Sequence, residues 1–73
     1  MMTNLEKYYE LMAISDKEED AGNEQLSEKY ASEAHKIMNN LFSRQEWEIL
    51  IKNTSNHWGK AVLARKMKEK FPD

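Results

Sequence analysis

The chain has 73 residues and a formal net charge of −2 at pH 7. A chain of this length forms one domain that buries only about 60% of the surface exposed by its unfolded form. It contains no cysteine, which excludes disulfides and thiolate zinc sites. Glycine and proline are scarce and helix-forming residues are common, so we predict a single all-α domain over residues 1–73.

A first helix is predicted over residues 4–14. Thr3 and Glu6 have the spacing of a capping box, in which each side chain bonds the backbone N–H of the other residue. Placing successive residues 100° apart puts four apolar side chains on one face and two off it, so the helix is apolar on more than one side. The face contains Leu5, Tyr8, Tyr9 and Met12, and the other two are Leu11 and Ile14.

Residues 15–23 are predicted to form a connector, because four acidic residues cluster there and Gly22 offers a turn. Within this stretch Asp16, Glu18 and Asp20 have the alternating spacing of a calcium-binding loop. The glycine and glutamate that such a loop requires are replaced by Ala21 and Ser27. We therefore expect a solvated loop and no metal ion.

A second helix is predicted over residues 24–41. Its apolar side chains cover a sector of about 160° on the helical wheel. So wide a stripe is typical of a central helix with more than one neighbour. The stripe consists of Leu26, Tyr30, Ala31, Ala34, Ile37, Met38, Leu41 and Phe42.

A third helix is predicted over residues 44–53, with the clearest start in the chain. Ser43 and Glu46 have capping-box spacing, and Phe42 and Trp47 stand where a hydrophobic staple places its two apolar residues. These features predict that the helix begins directly after Ser43.

A fourth helix is predicted over residues 57–70. It follows the polar stretch 53–56, whose short side chains compete for backbone hydrogen bonds, and it ends before Pro72. Short connections between successive helices predict antiparallel neighbours, so we expect a small antiparallel bundle of three to four helices. The apolar stripe of the fourth helix comprises Leu63, Ala64, Met67 and Phe71.

Charge is divided unequally along the chain. Residues 1–34 contain nine acidic and three basic side chains, a net charge of −6, whereas residues 35–73 contain four acidic and eight basic ones, a net charge of +4. Such asymmetry is typical of proteins that bind charged partners, and it is also found where the charges serve only solubility.

The basic end suggests a nucleic-acid-binding regulator as an alternative function, because clustered lysines can contact phosphates. A solvated face that complements the helix dipole explains the same residues. A helix-turn-helix formed by the third and fourth helices stays open, although residues 53–56 lack the glycine common in its turn. The basic residues are Lys60, Arg65, Lys66, Lys68 and Lys70.

No catalytic constellation is visible, and we expect neither an enzyme nor a cofactor. His35 and His57 lie 22 residues apart without the spacing of a metal-ligand pair, so both are interpreted as boundary residues and no metal site is expected. The serines of the chain are interpreted as turn, cap or polar-face residues.

The preferred hypothesis is a small non-enzymatic regulator or inhibitor that binds another protein, or a second copy of itself as a homodimer, through a helical surface. Surplus apolar surface on a small helical chain is most simply covered by another chain. We expect no membrane contact and a cytoplasmic location, and the size fits a bacterial or phage accessory protein. The candidate protein-binding residues are Tyr8, Tyr9, Leu11, Ile14 and Trp58.

Overall fold

The computed structural model describes residues 2–72 and contains four α-helices in that range, with no strand. The all-α prediction is confirmed, and the bounds of the last three helices coincide with those predicted. No helix in the described range is long and apolar enough to cross a bilayer. The helices are α1 (Asn4–Asp20), α2 (Glu24–Leu41), α3 (Arg44–Asn53) and α4 (His57–Lys70).

The chain divides into two compact units, one ending at Leu41 and one beginning at Phe42. The first unit contains α1 and α2, and the second contains α3 and α4.

The start of α1 forms the predicted capping box. Thr3 Oγ1 accepts a hydrogen bond from the backbone N–H of Glu6 at 3.1 Å, and Glu6 Oε1 accepts one from the backbone N–H of Thr3 at 3.4 Å. Both donors would otherwise lack a partner at the first turn of a helix.

The predicted end of the first helix was wrong, because α1 continues through the acidic stretch to Asp20. Lysine and glutamate are good helix formers, and their charged ends reach water from a helix as easily as from a loop. The predicted connector at residues 15–23 is therefore reduced to residues 21–23.

Gly22 provides the signal that ends α1. Its φ of +85° lies in the left-handed region that glycine adopts without a Cβ penalty. The N–H of Asn23 donates to the carbonyl of Glu18 at 2.8 Å, and the N–H of Gly22 donates to that of Glu19 at 3.0 Å. This pair of bonds is the Schellman motif, which satisfies the last carbonyls of α1 and turns the chain into α2.

Two hydrogen bonds at opposite ends show that α1 and α2 form an antiparallel hairpin. Near the turn, the Ser15 hydroxyl donates to the backbone carbonyl of Ser27 at 2.8 Å and lies 3.0 Å from the Ser27 hydroxyl. At the open end, Asn4 Nδ2 donates to the carbonyl of Leu41 at 3.1 Å. Both serines are buried, so the interpretation of them as turn or polar-face residues was wrong.

The start of α3 also matches its prediction. Ser43 and Glu46 exchange the two bonds of a capping box, and the rings of Phe42 and Trp47 meet edge to face with centroids 6.0 Å apart. Trp47 is fully buried, and Phe42 and Leu50 are nearly so. The staple and one turn of α3 therefore contribute the buried side chains of the second unit.

Two polar side chains fix the connector between α3 and α4. The Thr54 hydroxyl donates to the carbonyl of Leu50 at 2.8 Å, and Asn56 Oδ1 accepts from the backbone N–H of Gly59 at 3.1 Å. A Cβ on Gly59 would lie 3.3 Å from Thr54 Cγ2. Glycine at this position therefore lets α4 start close against the end of α3.

The serine pair between α1 and α2 generates the first prediction. Ser15→Ala removes a buried hydroxyl that donates to a backbone carbonyl, and we expect a loss of about 1 kcal/mol in the free energy of unfolding. Ser27→Ala should cost less, because the carbonyl that accepts from Ser15 remains. Ser32→Ala, on the exposed side of α2, is the matched control. Urea denaturation measures all three, and an equal or larger loss in Ser27→Ala would contradict the assignment.

Candidate protein-binding surface

Much of the apolar side-chain surface lies outside the core. Hydrophobic residues make up 40% of the chain, yet only five of those described are buried, namely Ala34, Met38, Phe42, Trp47 and Leu50. Exposed apolar surface in a small protein marks interaction sites when it is contiguous. The large hydrophobic side chains left exposed are Met2, Tyr9, Leu26, Leu41, Ile49 and Trp58.

Four of the five predicted binding residues lie on α1. Tyr9 is 40% exposed, whereas Tyr8, Leu11 and Ile14 are half-buried. The rings of Tyr8 and Tyr9 meet edge to face with centroids 5.7 Å apart. Part of this set therefore belongs to the packing of the first unit, and Tyr9 is its most accessible aromatic side chain.

The environment of Tyr8 favours its neutral hydroxyl. Burial raises the pKa of Tyr8 above its ordinary value, and the neighbouring Tyr9 raises it further. A neutral phenol can still donate a hydrogen bond, so the half-buried ring of Tyr8 can pack against apolar groups while its hydroxyl donates to a polar one.

The stripe of α2 is wider than its one neighbour in the first unit can cover. The buried residues Ser27, Ala34 and Met38 follow one line along the helix, about 80–120° away from Leu26 on the wheel. Leu26, at the other edge of the stripe, is 44% exposed, and Leu41, about 60° from Leu26 on the wheel and in the last turn of the helix, is 56% exposed. The width of the stripe was the sequence signal for these two residues, which were not among the predicted site residues.

A groove runs between α1 and α2 on one side of the hairpin. Its deeper residues are the buried Ser15 and Ser27, with the half-buried Met12 and Ala31 at the end away from the turn. Exposed carboxylates line the rest of the groove: Asp16 and Glu28 lie beside the two serines, and Glu19 and Glu24 lie at the end near the turn. The groove is therefore apolar at one end and strongly acidic at the other.

The fifth predicted binding residue, Trp58, lies in the first turn of α4 and is 78% exposed. It shares the outward face of this helix with Ala61 and Arg65, at the spacing i, i+3 and i+7. A shallow depression on this face is lined by Ala61, Ala64, Arg65, Lys68 and Glu69. An exposed indole thus stands in line with small residues and two cations.

The basic residues of α4 do not all lie together. Lys60 is half-buried and shares the side of the helix that holds Met67. The remaining four, Arg65, Lys66, Lys68 and Lys70, are exposed. Lys68 and Lys70 also lie in the last turn of α4, where positive charge is favourable with the helix dipole.

The two units carry opposite net charge. The residues up to Leu41 include nine acidic and four basic side chains, a net charge of −5, and those from Phe42 onward include four acidic and seven basic ones, a net charge of +3. The predicted binding set is divided between these units, since the α1 residues belong to the first and Trp58 to the second.

No group of three or more histidine, aspartate or glutamate side chains among residues 2–72 could hold a metal ion. His35 and His57 are both exposed. The three acids weighed as a calcium loop lie on α1, where a helix cannot wrap them around an ion. Comparison of the chain with known protein families, curated proteins and solved structures finds no match.

The two tryptophans generate the second prediction, because they are the same residue type in opposite environments. Trp47→Ala should lower the free energy of unfolding by about 3–5 kcal/mol, since it empties a fully buried site. Trp58→Ala should change it by less than about 0.5 kcal/mol, as is usual at the surface. Urea unfolding followed by circular dichroism measures both. A large loss in Trp58→Ala would show that this indole serves packing and not binding.

The third prediction concerns pH. The folded chain holds the Tyr8 proton more tightly than the unfolded chain does, so stability falls as pH rises from about 10, the ordinary tyrosine value, toward the raised pKa of Tyr8. Tyr8→Phe removes this contribution, and its stability should fall less steeply over the same alkaline range. Thermal unfolding at a series of pH values measures the difference, and parallel curves for the two proteins would contradict it.

Proposed function

We propose that this chain is a small, non-enzymatic protein-binding regulator that docks a helical surface on a partner protein. The observation that carries the proposal is the set of large hydrophobic side chains left exposed, of which Trp58 is the most exposed. Tryptophan and tyrosine are enriched among the residues that dominate binding energy at protein interfaces.

The face of α2 that contains Leu26 and Leu41 supports this proposal. These side chains lie four turns apart on the exposed part of the apolar stripe, with the half-buried Tyr30 and Ile37 between them. An amphipathic helix with such anchors is the usual element for docking against an apolar groove. The net negative charge of the first unit would steer a basic partner and add specificity.

The cellular role remains part of the proposal. A cytoplasmic regulator or inhibitor of bacterial or phage origin would act by occupying a partner's surface, which requires no pocket and no cofactor in this chain. Blocking such a surface needs only a stable helical face and a few exposed anchors.

A binding experiment tests the proposal. The immobilised full chain is used to retain partners from host lysate, and the retained protein is then purified for affinity measurement. Leu26→Asp/Leu41→Asp and Trp58→Ala are compared with Gln25→Asp/Ser32→Asp, which adds the same two charges on the exposed side of α2. Loss of a hot-spot side chain costs about 2 kcal/mol, or about a 30-fold rise in Kd.

We expect at least one of the first two variants to lose affinity by that factor while the control retains it. Equal binding by all variants, or no specifically retained protein, would refute the proposal.

Nucleic-acid binding is the second candidate, and the exposed indole beside exposed cations favours it. Base stacking on an aromatic side chain combined with a basic surface is how single strands are bound without sequence preference. Labelled single- and double-stranded oligonucleotides titrated at several salt concentrations test this function. Tight binding with a steep salt dependence, lost in Arg65→Gln/Lys68→Gln, would support it over the protein partner.

A further inference from the structure

We propose that the outward face of α4 docks into the acidic groove between α1 and α2 of a second copy of this chain. The inference rests on the proposed protein-binding function and names one partner for it. It uses a different surface from the Leu26 and Leu41 face of α2.

The outward face of α4 offers three kinds of group in a fixed order. Trp58 comes first, Ala61 follows one turn later, and Arg65 and Lys68 come next with Glu69 beside them, so that one stripe runs from an apolar end to an end that carries two cations and one carboxylate. The stripe is about 15 Å long at 1.5 Å per residue. All four residues are exposed, and no carboxylate in the described chain forms an ion pair with either cation.

The groove offers the complementary groups in the same order. Met12 and Ala31 form its apolar end, and Ser15 and Ser27 form its middle, where their small side chains allow a close approach. Asp16 and Glu28 flank these serines, and Glu19 of α1 and Glu24 of α2 form the acidic end near the turn. From Met12 to Glu19 the groove extends about 10 Å along α1.

Aligning the order of groups along α4 with the order of groups along the groove defines one register for the contact. Trp58 lies against the apolar end, Ala61 lies over the two serines and Arg65 lies level with Glu19, with α4 parallel to α1 of the other copy. Lys68 lies about one turn further along, where its long side chain can reach back to the carboxylates. Small residues on both sides permit close packing of the helix backbones, and opposite charges at one end select this direction over its reverse.

Charge complementarity identifies a second copy as the occupant. Every copy carries both halves of the contact, on units whose net charges are −5 and +3. Two copies that exchange the contact reciprocally form a closed dimer, whereas a contact that does not close would extend into a chain of copies.

Sedimentation velocity of the full chain at low and high salt tests the proposal. We expect association at low salt that weakens as salt screens the exposed charges. Glu19→Lys/Glu24→Lys reverses the charge at the end of the groove near the turn, and Arg65→Glu/Lys68→Glu reverses the charge of the two cations on α4. Either variant alone should show association at least about tenfold weaker, because like charges now face each other.

Mixing the two variants should restore association. The unchanged α4 of the first fits the unchanged groove of the second, and the two reversed surfaces fit each other. Glu10→Lys/Glu33→Lys makes the same change in net charge as the groove variant, at exposed positions outside the groove. At both low and high salt this control should associate as strongly as the parent chain does. All substituted side chains are exposed, and circular dichroism verifies that each variant keeps its helix content. Glutamine substitutions at the same positions, which remove the charges without reversing them, serve as a milder second set.

A strict monomer at every salt concentration, association unaffected by both reversals, or a mixture that stays monomeric would each overturn the proposal. A monomer that binds single-stranded nucleic acid through Arg65 and Lys68 would overturn it in favour of that ligand. A monomer that still retains a partner through Leu26 and Leu41 would overturn the self-association alone and leave the proposed function standing.

Discussion

The close contact of α1 and α2 at Ser15 and Ser27 is the constraint on which the first unit depends. Two buried hydroxyls can be this close only because each finds a partner, the Ser27 carbonyl for one donor and the facing hydroxyl for the other. The Schellman turn holds the two helices in the register that makes this contact. Larger side chains at either position would part the helices and remove both the contact and the groove beside it.

Local chemistry made most of the helices predictable. The two capping boxes, the staple of Phe42 and Trp47, and Pro72 all act within a few residues, so their effects can be inferred without knowledge of the fold. The end of α1 was missed because clustered acids were interpreted as a loop, although charge alone does not stop a helix. Gly22 was the better signal, since its left-handed φ ends the helix directly.

The candidate surface was less predictable, because exposure depends on which side of an apolar helix its neighbours cover. Leu26 and Ala34 both belong to the apolar stripe of α2, yet Leu26 is 44% exposed and Ala34 is fully buried. The two tryptophans were easier to tell apart, because Trp47 packs in the staple with Phe42 whereas Trp58 has no such local motif and is exposed. Ser27 lay within the apolar sector of α2, and that position was the available signal for its burial.

Because Trp47 is fully buried, its indole N–H proton can report local opening of the second unit. Its side chain is fully buried, and no acceptor among the described residues lies within hydrogen-bonding distance of Nε1. The indole proton can therefore exchange with deuterium only when the surroundings of α3 open, whereas that of Trp58 meets solvent continuously. Two indole resonances in one nuclear magnetic resonance spectrum would thus separate breathing of the folded chain from events at its surface.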